Sequence, residues 1–86
     1  MITPPIVHLN GTGIETLRSE YDDVADKLKD FTDAWERMEF NARDYYCHPT
    51  GPAYWEQARA ERMEINKKIG EIAQYLLDHR EHLHNI

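Results

Sequence analysis

Apolar residues recur along this chain in two long runs with helical spacing. In the first, Ile14, Leu17, Tyr21, Val24, Leu28, Phe31, Trp35 and Met38 follow one another in steps of three and four. A mean repeat of about 3.5 residues is the seam of helices packed nearly parallel or antiparallel along their length. In the second run Ala58, Ile65, Ile69, Ile72 and Leu76 form the main stripe, which Leu83 and Ile86 prolong. Met63, Gly70, Ala73 and Leu77 form a second stripe beside it.

The segment His48-Pro49-Thr50-Gly51-Pro52 separates the runs. It cannot continue a helix, because neither proline has a backbone donor, while Pro52 suits the first position of a new one. Upstream, Asn10-Gly11-Thr12-Gly13 reads as a turn, and Thr12 followed by Glu15 has the spacing of a capping box. The prediction is a helix over 12–42, a loop over 43–51, a second helix over 52–80 and a tail over 81–86. Pro4-Pro5 with Ile6, Val7 and Leu9 predicts an extended apolar arm over 1–11, laid across a helix.

The fold class is therefore all-α: one domain, residues 1–86, forming a long antiparallel two-helix hairpin with an N-terminal arm. Each helix is expected to have roughly 28 residues and a length of roughly 42 Å. Two helices enclose no core, and the second has apolar surface wider than one partner covers. A chain of 86 residues also buries only a modest share of its surface. Cys47 is the single cysteine, so no intrachain disulfide reinforces the fold. Self-association remains, as a dimer forming a four-helix bundle or as a higher oligomer.

Charge narrows the partners. Ten basic residues against sixteen acidic ones give a net charge of -6, which argues against coating a nucleic-acid backbone. The excess sits on one helix: nine acidic and four basic residues between Ile14 and Asn41, against five of each between Pro52 and Arg80. No apolar run approaches the roughly 20 residues of a membrane span, and the start lacks the basic region of a signal peptide. With a free thiol, a cytoplasmic protein is expected.

Candidate chemistry concentrates at the bend. Arg43, Tyr45, Tyr46 and His48 precede it, and Tyr54, Trp55, Arg59 and Arg62 follow. Aromatic faces and guanidinium forks suit a nucleotide-like ligand, the rings stacking on a base and the forks taking phosphate oxygens. The competing reading is a packed bundle end, with the rings as cap and the arginines paired to Glu39, Asp44 or Glu56. Arg62 falls on a seam position opposite Phe31 or Trp35, so it needs an acid, a ring face or an anion. Asn10, Gly11, Thr12 and Gly13 offer backbone N–H groups at a helix start, an anion site or an ordinary cap. The two clusters lie at opposite ends of the first helix. Only a second chain running the other way brings them together.

Asp22, Asp26, Asp30 and Asp33 form an acidic row along the first helix, either a docking stripe for a basic protein surface or a solvated face broken by Lys27, Lys29 and Arg37. The histidines of Asp78-His79-Arg80-Glu81-His82-Leu83-His84 do not repeat a ligand spacing, so no metal or cofactor is implied. Cys47-His48 is a sequence neighbourhood rather than a nucleophile and base, and no catalytic residues are assigned.

Three pieces of the chain together resemble a group of small proteins encoded in phage and prophage genomes. They are the apolar, proline-containing start running into His8-Leu9-Asn10-Gly11-Thr12, the segment Arg43-Asp44-Tyr45-Tyr46 before the bend, and Gly51 with an alanine- and arginine-bearing second helix. The chain departs from that pattern at Cys47-His48-Pro49. The resemblance implies a phage accessory protein acting in the host cytoplasm, a class rich in counter-defence factors that work without catalysis. Two roles follow as expectations: sequestration of a small anionic, nucleotide-derived signal between chains, or inhibition of a host defence or nucleic-acid-processing protein through the acidic row. A structural adaptor in the phage particle is the third.

Overall fold

The computed structural model describes residues 2–86; Met1, the first residue of the predicted arm, lies outside them. Two helices, α1 (Ile14–Arg37) and α2 (Pro52–His84), pack side by side, with a single 3-10 turn at Ala42–Asp44 between them. Their cross-contacts run antiparallel: Arg18 meets Leu83, Asp22 meets Arg80, and Trp35 meets Arg62 and Asn66. The result is a rod of 62 × 23 × 19 Å with a radius of gyration of 18.9 Å, against about 12 Å for a compact domain of this length.

The helix bounds depart from the predicted ones in both directions. α1 has 24 residues and ends at Arg37, short of the predicted 42, and α2 has 33 and absorbs most of the predicted tail. Nothing between Met38 and Asn41 is a helix breaker by type. The stop comes from tertiary packing: Met38 turns extended, and Phe40 folds back onto Trp55 with ring centroids 4.8 Å apart. Conversely, no breaker follows Arg80, and burial of Leu83 against α1 favours one more turn.

The predicted capping box is not formed. Gly13 rather than Thr12 is the N-cap, no side chain caps the helix, and Glu15 pairs instead with Arg18 at 2.8 Å. The described part of the arm forms neither helix nor strand; Ile2, Pro4 and Pro5 are half-buried, but Ile6 and Leu9 stand in solvent, Leu9 at 98% exposure. Ile6, Val7 and Leu9, the apolar residues of the predicted strip, are thus all exposed rather than laid across a helix.

The predicted seam is covered in part. Ile14, Leu17, Tyr21, Leu28 and Trp35 of α1 are half-buried, as are Ala58, Arg62 and Ile69 of α2, and Leu76 and Leu83 are buried. The remainder is not covered. Val24, Phe31 and Met38 are exposed, as are Ile65, Ile72 and Ile86. Two helices touch along one line, so a seam of two rows needs a further helix to cover the second.

Among the described residues, the buried ones lie toward one end, at Leu76, His79 and Leu83. His79 stacks on Tyr21, with centroids 5.1 Å apart and planes within 8°, and lies 4.1 Å from the Tyr75 ring. Its Nδ1 donates to the Tyr75 carbonyl at 2.9 Å, so a polar ring is satisfied inside the apolar contact.

Candidate functional site

The bend is a layer of rings. Phe40, Tyr45 and Trp55 lie within 5.7 Å of one another by centroid, Tyr54 sits 5.9 Å from Tyr45, and His48 stacks flat on Tyr54 at 3.8 Å. The 3-10 turn places Tyr45 inward, its N–H donating to the Ala42 carbonyl at 2.9 Å. A tight turn then runs from His48 to Gly51, closed by the Gly51 N–H on the His48 carbonyl at 2.8 Å. Within it, the Thr50 N–H donates to His48 Nδ1 at 3.2 Å, leaving that nitrogen as an acceptor. Pro49 presets the turn, and Gly51 takes a φ of 58° that only glycine adopts without strain.

The three candidate arginines have different fates. Arg62 lies between rings, its Cζ 4.0 Å from the Trp35 centroid and 4.9 Å from that of Phe40, and its Nη2 donates to the Trp35 carbonyl at 3.0 Å. It closes the C-terminal end of α1 and is occupied there. Arg59 pairs with Glu56 one turn away at 3.1 Å. Arg43 approaches Glu39 only to 4.0 Å, and its side chain is 73% exposed. Beside it, Tyr46 is 67% exposed. The predicted cluster thus divides into a packed group, Tyr45, Trp55 and Arg62, and an outward group, Arg43 and Tyr46, with Tyr54 and His48 at its edge.

The turn at Asn10, Gly11, Thr12 and Gly13 is exposed throughout. The Gly11 N–H donates to the His8 carbonyl at 3.1 Å, and the His8 ring lies over Gly11, with Nε2 2.6 Å from where a Cβ would stand. Because no side chain caps α1, the first-turn N–H groups keep their hydrogen-bonding capacity. The length of α1, about 36 Å, separates this turn from Arg43 and Tyr46, so one chain does not combine them.

The acidic row is likewise divided. Asp22 accepts from Arg80 Nε at 2.8 Å and lies 3.7 Å from His84, which ties the two helices together. The Arg80 hydrogen bond holds the Asp22 carboxyl below the usual carboxylate range. Asp33 pairs with Lys29 at 3.0 Å and pushes the ammonium pKa up. Asp26 and Asp30 stay exposed. Asp22, Asp23 and Asp26 with Glu15 line an open groove of about 450 Å³ that Arg18 and His84 border.

Several structural residues were not singled out from the sequence. Phe40 follows the strong periodicity, and Asn66, whose Oδ1 accepts from Trp35 Nε1 at 2.8 Å, is one polar residue among many on α2. Their roles depend on the neighbouring helix. Cys47 is exposed, and among the described residues no three His, Cys, Asp or Glu side chains converge. No helix is long and apolar enough to cross a membrane among the described residues. No family model matches the chain, and neither a curated protein nor a solved structure matches it.

Proposed function

We propose that this chain is a non-enzymatic accessory protein of the phage counter-defence kind, which sequesters a small anionic, nucleotide-derived ligand between copies of itself. The observation that carries this reading is the division of the bend cluster. Phe40, Tyr45, Tyr54 and Trp55 pack into a platform of rings, and Arg43 and Tyr46 stand outside it within one turn of each other. A free ring face beside a guanidinium fork suits a base and a phosphate. The Asn10 to Gly13 turn and the uncapped start of α1 contribute backbone donors to the same ligand from an oppositely directed chain.

Thermal-shift and calorimetric titration with cyclic dinucleotides and ADP-ribose derivatives test this. Binding by at least one of them, lost in Arg43→Ala and Tyr46→Ala while the unliganded melting temperature holds, is the expected result. No binding across that panel overturns the reading. Docking of α1 onto a basic protein surface is the second reading, favoured by the open acidic groove beside Asp22 and Asp26. Charge reversal at Asp26 and Asp30, which make no inter-helix bridge, tests it without loosening the hairpin.

A further inference from the structure

We infer that the apolar face of the hairpin carrying Val24, Phe31, Ile65 and Ile72 is the surface on which a second copy of this chain docks. The inference deepens the self-association on which the proposed function rests, and it names the face.

These residues share one flank. Val24 borders a shallow groove with Leu17, Tyr21 and Leu76. Tyr75 joins the same flank through His79, which stacks on Tyr21. Residues seven apart on a helix point within about 20° of each other, so Phe31 continues the line of Val24, as Ile65 continues that of Ile72. All four are exposed. The opposite flank is distinct: there Ala25 and Thr32 meet Ala73 and Leu77.

Three observations select a second copy as the occupant. The first is area. The chain exposes 6764 Å², whereas a compact monomer of its mass exposes about 5,300 Å². The excess is larger than the roughly 800 Å² that each partner buries in a stable interface. The second is pattern. The exposed rows are the missing half of a seven-residue seam, and a copy of the same seam presents rows of the same pitch to interleave with them. The third is charge. Asp22 and Asp26 line a separate groove and Asp33 lies on the opposite flank, so copies meeting on those faces would oppose like charges. The flank itself is edged by Glu20 and Lys27 on α1 and by Glu61 and Lys68 on α2, both signs on each helix.

Sedimentation equilibrium of the ligand-free full chain at micromolar concentration tests the inference. The expected mass is at least twice 10.2 kDa. Phe31→Ala and Ile72→Ala each raise the dissociation constant by about tenfold or more, and Leu77→Ala by less than about threefold. A wild-type mass of one chain, or assembly that responds to Leu77 but to neither Phe31 nor Ile72, overturns it. Should the variants lose their helices, the wild type still decides through its methionines. Met38 continues the Val24 and Phe31 line, whereas Met63 follows Gly70 and Leu77, and both are exposed in the single chain. Peroxide oxidation of Met38 should slow with rising protein concentration while that of Met63 does not; equal behaviour of the two overturns the inference. An assembled protein that binds no nucleotide retires the ligand and leaves the face standing.

Discussion

Arg62 of α2 holds the end of α1 by donating Nη2 to the Trp35 carbonyl at 3.0 Å, with its guanidinium carbon 4.0 Å from the Trp35 ring centroid. One side chain thus gives a terminal carbonyl a second donor, beside the Met38 N–H at 3.3 Å, and rests its cation on a ring face.

Replacing Arg62 removes both interactions at once. Arg62→Ala should lower stability by about 2 kcal/mol, combining a charged hydrogen bond with a cation–π contact. Arg62→Lys should recover only part of that, since an ammonium lacks the planar fork that bridges carbonyl and ring. Urea unfolding followed by circular dichroism reads both values, and an unchanged midpoint in Arg62→Ala would contradict the role assigned to it.

Gly51 should tolerate no side chain. Its φ of 58° with ψ of -126° costs any L-residue about 1–3 kcal/mol, although nothing lies within 4 Å of a Cβ placed there. Gly51→Ala therefore tests backbone conformation alone. Gly13→Ala is the control, because Gly13 has a φ of -65° and open space around it. The control should stay within about 1 kcal/mol of wild type in the same unfolding assay, the residual cost being that of alanine at an N-cap.

The anchored end of the hairpin should be the sensitive one. Leu83 is fully buried, and Leu83→Ala should cost about 2–5 kcal/mol through lost contacts and the cavity left behind. Leu9→Ala, in solvent, should change stability by no more than about 0.5 kcal/mol. Comparable losses at both positions would mean that the arm is packed in solution.

The Asp22 and Arg80 pair should give the hairpin an acid-sensitive component. A carboxylate whose folded-state pKa is depressed contributes stability that is fully present above its unfolded value, about 3.9, and lost as pH falls through the lower folded value. The difference in melting temperature between wild type and Asp22→Asn should accordingly be greatest near neutral pH and shrink below about pH 4. The pair is partly exposed, so added salt should narrow the neutral-pH difference too. A difference that grows on acidification would rule out the assignment.

The hairpin itself was legible in the sequence. The three-and-four spacing from Ile14 to Trp35, the proline-rich bend at His48 to Pro52 and the matching run on α2 determine two helices and a reversal between them. These signals are local and repeat many times, so no single contact can cancel them. What sits inward was only half legible. Heptad spacing names two rows, and whether the second row is covered depends on how many helices are present, which one chain's pattern does not state.

The candidate site was legible as a concentration of residue types and no further. Sequence brings Arg43, Arg59 and Arg62 to the bend as equals. Tertiary structure separates them, because Arg62 reaches the Trp35 ring and the terminal carbonyl of that residue, Arg59 lies one turn from Glu56, and Arg43 approaches Glu39 only to 4.0 Å. Likewise, Thr12 and Glu15 have the spacing of a cap, yet Arg18, anchored on Leu83, draws Glu15 elsewhere. Repeating hydrophobic spacing determines helices because each turn restates it. The partner of any one polar group is decided once, by whichever neighbour the packing brings within about 3 Å.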